Sequence, residues 1–319
     1  MFRAVFGGLL VLCLNAPAHA AGRVFVVSKA QKALEVYNAD DGKLEFAIKG
    51  TGDPHVVAVS PDGSHAYIGD VAGTKNTITI VDVEKHAVEH TLSLPPFIQP
   101  HGLVLNHDGS KLYATCAPNR AIVEIDLATN KVTRHFDFYV DSVENLAITP
   151  DDKLIFASSS FDGTLPVIDV AQGKMERMIS SGNGPEGVSI TPDGKEVWVA
   201  NRVSQTLAVI DIATRHRVAL IQCIGNPMHI YFTNDGTQAI VTLAVGDRLG
   251  IFDRAKRAEL ARFEVGDFPV EMAFGDTDKT AYVANGEGGD VAVVDLAARK
   301  VIRRFAVGGE PEGIAYSSK

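Results

Sequence analysis

Seven times along the chain, a histidine or glutamate stands one or two residues after a recurring proline position: His55, His101, Glu144, Glu186, His229, Glu271 and Glu312. The prolines are Pro54, Pro100, Pro185, Pro227, Pro269 and Pro311, and Val143 takes that place in the third copy. Imidazole and carboxylate are the usual ligands of zinc, iron and manganese. The same groups can hold an organic cation or act as general acid and base. Brought to one place, three imidazoles and four carboxylates could bind a divalent metal (zinc, copper or iron) or a small cationic ligand. They could also support a metal-assisted hydrolysis or elimination. Solvation of a water-filled channel is the bland reading of the same residues.

The elements that must bring them together are written in the repeat itself. The skeleton P-x-G-x-x-x-(S/T)-P-D-G recurs, as in Pro185-Glu-Gly-Val-Ser-Ile-Thr-Pro-Asp-Gly194. Successive proline positions lie 46 and 43 residues apart, then 42 residues apart four times. A period of this length built from short strands predicts a β-propeller. After each D-G turn comes a β-rich run with an aromatic column (Phe25, Tyr67, Tyr113, Phe156, Trp198, Tyr282; Ile240 in one copy). A further apolar run follows and ends in Asp, then a fourth alternating run, giving four strands per unit. Residues 24–49 supply the last three strands of a unit, and residues 312–317 supply only a first strand. Their union predicts an all-β, seven-bladed propeller with no open sheet edge at the seam. The residues after each proline then fall where the chain returns to the axis, so all seven should face the mouth of the central channel.

A neighbouring column closes the second strand: Ser28, Asp70, Cys116, Ser159, Asn201, Leu243 and Asn285. Its members are expected on the same face. Cys116, Asp70 and Asn201 are therefore added as candidate ligand or pocket residues. A thiol beside imidazoles, with Met228 nearby, would suit copper. Residues 71–77, 94–100 and 136–141 carry the extra length of the two longer repeats, which places Phe97, Phe138 and Tyr139 on that face as pocket walls or docking residues. Trp198 belongs to the aromatic column and reads as packing. The Asp that ends each third strand reads as a turn cap.

The runs Trp198-Val-Ala-Asn201, Tyr282-Val-Ala-Asn285 and Leu207-Ala-Val-Ile-Asp211 resemble the YVTN-repeat (YncE-like) family of bacterial and archaeal propellers. The resemblance covers essentially residues 21–319. It implies a seven-bladed ring and a periplasmic setting, as in accessory proteins found near quinoprotein dehydrogenases. Similar rings also serve as lactonases and as a lyase, so the resemblance names a fold better than an activity.

Residues 1–20 read as a signal peptide: Arg3, then the short apolar stretch from Ala4 to Leu14, then Ala18-His19-Ala20 as a cleavage site. The expected mature chain is a single propeller over residues 21–319, periplasmic or secreted, with no membrane span. The formal charge of −9 and the absence of a Lys/Arg run disfavour a broad phosphate-binding surface, so no nucleic-acid partner is expected. Cys116 and Cys223 remain after the leader, without a CxxC, haem-attachment or zinc-ribbon spacing. Two functions stay open at this point. One is a binding or accessory module for a small ligand, a metal or a partner oxidoreductase. The other is a metal-assisted lactonase or lyase at the channel mouth.

Overall fold

The structure, a computed structural model, describes residues 22–319. The expected leader, with Cys13, lies outside the described residues. Seven four-stranded antiparallel sheets form the described chain, six of them in simple sequential strand order. Blades 1 to 6 span residues 54–93, 100–137, 143–180, 185–222, 227–264 and 269–306. Blade 7 is the seam. Its inner strand Pro311–Ser317 pairs with Arg23–Ser28, followed outward by Ala33–Asn38 and Leu44–Lys49. Inner strands of neighbouring blades contact one another around a closed circuit, the last touching the first. Among the described residues, no helix is long and apolar enough to cross a membrane.

The sequence columns explain the packing. The second and third strands of each blade are buried on both faces, because a neighbouring blade covers each side. Outer strands alternate between exposed and half-buried positions, as in Lys300–Ala306. Seven large apolar clusters form among the described residues, one at each junction of adjacent blades. One unites Trp198, Leu207 and Ile221 with Phe232, Val241 and Phe252. Another joins Val24 and Ile314 of the seam to Tyr282 and Val291. Trp198 is fully buried and meets Phe232 edge-on, so it is a packing residue. Asp82, Asp126, Asp169, Asp211, Asp253 and Asp295 each accept the backbone N–H three residues on, which closes the third-to-fourth turn. The D-G hairpins put Gly63, Gly109, Gly194 and Gly236 at φ of 65–73°, and Asp152 adopts φ 58° where blade 3 lacks the glycine.

Candidate functional site: an axial cavity built on seven bulges

Every inner strand makes the same irregularity at the same place. Its opening residue pairs with the last residue of the second strand, as in Pro54↔Asp70, Pro100↔Cys116, Pro185↔Asn201 and Pro311↔Ser28. One extra residue is then accommodated before pairing resumes at Val57↔Ile68, Leu103↔Ala114, Val188↔Val199 and Ile314↔Val26. The other three blades shift register at the same step. A bulge bends the strand and re-aims side chains. Here it lets two successive positions, which a regular strand would send to opposite faces, both turn to the axis.

The result is one cavity of about 350 Å³. It is lined at the first bulge position by His55, His101, Glu144, Glu186, Met228, Val270 and Glu312, and at the second by Val56, Asn145, His229 and Glu271. Arg202 and Phe268 complete the wall. All seven residues singled out after the proline column therefore share one space, although His229 and Glu271 sit one residue later than the others. Blades 2, 4 and 7 carry Gly102, Gly187 and Gly313 at the second position. A Cβ there would strike the next blade's backbone, at Glu144, at Met228 and His229, and at His55 and Val56 respectively. Three hydroxyls of the second strands peg the bulges down. Thr115 Oγ1 accepts the Gly102 N–H at 2.7 Å and donates to the Glu144 carbonyl at 2.7 Å. Thr242 Oγ1 does the same between His229 N–H (3.0 Å) and the Val270 carbonyl (2.9 Å). Ser158 Oγ accepts the Asn145 N–H at 3.2 Å.

The structure does not bring Cys116, Asp70 or Asn201 to the cavity. They lie one strand outward, opposite the prolines and behind them. Cys116 is fully buried in the cluster between blades 1 and 2, and burial pushes its thiol up to about 12. Asp70 accepts the backbone N–H groups of Asp53 and Ala72. Asn201 donates to the Ser181 carbonyl and to Thr206 Oγ1. Phe97 and Phe138 pack into inter-blade clusters. Tyr139 is 85% exposed but is not part of the cavity wall.

Within the cavity, burial disfavours charge. Burial lowers His55, His101 and His229 each to about 4, and their mutual proximity adds to the effect for His101 and His229. Burial raises Glu186 to about 7, with the neighbouring Glu144 carboxylate adding and Arg202 opposing. Burial raises Glu271 to about 8, and Glu312 shifts upward for the same reason. Two cations answer two carboxylates: Arg202 Nη1 lies 3.2 Å from Glu186, and Lys29 Nζ lies 3.3 Å from Glu312. Ser160 Oγ donates to Glu144 at 3.2 Å. Glu271 has no cation. Its Oε2 accepts the Ile314 N–H at 3.1 Å, and its Oε1 lies 3.8 Å from His229 Nε2, too far for a hydrogen bond.

The rings of His55 and His101 sit 4.7 Å apart, and the buried Nδ1 of each has no hydrogen-bond partner. A metal-bound imidazole almost always donates its second N–H to an acceptor, which neither Nδ1 finds here. Among the described residues, no group of three His, Cys, Asp or Glu side chains is arranged to hold a metal ion.

Comparison with protein-family models and with curated proteins finds no match. Among solved structures, the fold is similar to a chain of the hydrazine synthase structure from Kuenenia stuttgartiensis. The TM-score is 0.71 at 21% identity, over 82% of this chain and 89% of that one. It is also similar to a functionally unknown protein from Desulfotomaculum acetoxidans DSM 771, with a TM-score of 0.77 at 16% identity, over 93% and 98% of the two chains. Likeness at these identities establishes the β-propeller fold and nothing finer.

Proposed function

We propose that this chain is an exported, periplasmic binding or accessory protein of the YVTN-repeat type whose axial cavity takes up a small organic ligand. One observation carries the reading: all seven blades aim their bulged residues into a single space. That space holds two imidazoles whose buried Nδ1 atoms have no partner, and a carboxyl group, Glu271, that faces no cation. Buried polar groups without partners are costly, and a ligand that supplies the partners would offset that cost. The cavity volume is in the range of small-molecule sites. The leader-like sequence of residues 1–20 and the YVTN-like runs support the periplasmic setting, where a partner oxidoreductase would deliver or receive the ligand.

A thermal-shift screen of the full chain tests this against organic cations, anions, neutral compounds and divalent metals. A ligand that binds only the folded state raises Tm. At least one compound should raise Tm in wild type and not in His101→Ala. A panel without effect, or an equal response in both proteins, would contradict the reading. Metal analysis of the same preparation decides between an organic ligand and zinc, copper or iron. Bound stoichiometric metal lost in a His55→Ala/His101→Ala variant would replace the organic ligand with a metal.

The pair Glu271 and His229 favours a second reading, a lyase or lactonase. A carboxylic acid that still holds its proton near neutrality, beside a neutral imidazole, is equipped for proton transfer. Turnover of a lactone or elimination substrate, abolished in Glu271→Gln, would establish it.

A further inference from the structure

Resting on the cavity reading above, we propose that the ligand is an organic ammonium ion with an apolar body, its nitrogen held at Glu271 and its body directed outward between blades 4 and 5. Three features of adjoining sectors, from blade 4 to blade 6, converge on it.

The first is the foot of the site. Glu271 Oε1 makes no hydrogen bond, and only 16% of the side chain remains accessible, where it borders the cavity. His229 Nε2, 3.8 Å away, offers a lone pair in its Nδ1–H tautomer. Two acceptors at this separation can both be reached by one nitrogen about 2.9 Å from each, and an ammonium carries three donors. The second is the wall. The first bulge position is apolar in blades 5 and 6 alone, as Met228 and Val270. These pack with Ala244 and Phe268 into a small apolar cluster. The third is outside. Val203, Ile224 and Val245 of the flanking loops are 72%, 59% and 62% exposed. A groove of about 330 Å³ runs between Val203 and Val245, and Arg202 borders both the groove and the cavity.

Other ligand charges fit less well. The cavity's own guanidinium, Arg202, is already paired with Glu186, so a carboxylate ligand finds no free cation. A neutral ligand leaves Glu271 as it was. Three groups face the Glu271 carboxyl from adjoining strands: His229 and Tyr231 from blade 5 and Glu312 from the seam. None is a cation at neutral pH. Binding an ammonium therefore requires Glu271 to give up its proton, and affinity should climb with pH until that group is ionised.

Calorimetric titration of the full chain tests this with hexylammonium, methylammonium, hexanol and hexanoate as probes. At about pH 9 the ammonium probes are still cationic, and hexylammonium should bind while hexanoate does not. Hexanol should bind at least about tenfold more weakly than hexylammonium. Affinity for hexylammonium should fall roughly tenfold for each pH unit below about 8. Glu271→Gln should weaken hexylammonium and methylammonium alike and flatten the pH profile. A Val203→Ser/Val245→Ser variant changes only exposed side chains. It should weaken hexylammonium and leave methylammonium unchanged. Equal affinity for hexanol, or a wild-type pH profile in Glu271→Gln, would overturn the ammonium assignment. An unchanged hexylammonium affinity in the valine variant would overturn the path of the apolar body. Suppose no ammonium probe binds while another compound stabilises wild type but not His101→Ala. The amine would then be lost and the cavity reading would stand. Failure of every compound would remove both.

Discussion

A carboxyl group that loses its water without gaining a cation keeps its proton, and Glu271 is in that position. Its pKa rises from the ordinary 4.5 to about 8 on folding. The folded chain therefore binds this proton more tightly than the unfolded chain. The stabilisation is complete below about 4.5 and is lost as pH rises through 8, at about 1.4 kcal/mol for each pH unit between those two values. The histidines work in the opposite sense. His55, His101 and His229 fall from 6.5 to about 4, so their contribution is complete above 6.5 and disappears as pH falls through 4. The ligand-free protein should thus lose stability toward both extremes. Glu271→Gln should match wild type in stability near pH 5 and exceed it near pH 9 by a few kcal/mol. Calorimetry across that range checks it, and a deficit in the variant that grows with pH would contradict the assignment. The seven residues after the proline column were legible in the sequence because every copy places a histidine or glutamate within two residues of that column. Arg202, Asn145 and Phe268 were not. Each sits in a loop or strand position whose neighbours vary, so no column marked them as unusual.

At the scale of the element, the bulge decides which side chains reach the axis. It is invisible in the sequence because all seven copies contain it, so it leaves no difference in length between one repeat and the next. That is why alternation alone left His229 and Glu271 out of phase with His101. It is also why Cys116, Asp70 and Asn201 were expected at the mouth. They end a strand that reaches the correct face, but the bulged inner strand stands between them and the axis. The hydroxyl pegs Thr115, Ser158 and Thr242 look like ordinary strand residues until the unpaired N–H groups they satisfy are seen. Gly187 tests the element directly. A methyl group there meets the Met228 carbonyl and the His229 backbone. Gly187→Ala should cost about 1–3 kcal/mol and displace His229, read as a lower Tm together with a smaller stabilisation by any cavity ligand. Unchanged values for both would show that the close approach of blades 4 and 5 is not needed.

For the whole molecule, the ring and its closure followed from the period and from the incomplete units at the two ends. The inter-blade clusters explain why closure matters, since each apolar cluster needs a blade on both sides. Removal of residues 311–319 strips Ile314 and Tyr316 from the cluster shared by blades 6 and 7 and opens one edge of the seam. The shortened chain should melt well below the full chain, or without a cooperative transition. An unchanged Tm would show that the seam does not hold the ring. Closure also sets how deeply the axial residues are buried, and the depth of burial separates a built ligand site from a solvated channel. The most direct measurement is an NMR pH titration of the histidine imidazoles in the full chain. His55, His101 and His229 should stay neutral down to about pH 5, near their lowered values of about 4, and a bound cavity ligand should move the same three resonances. Titration of all three near the ordinary value of about 6.5, with or without ligand, would contradict a deeply buried ligand cavity.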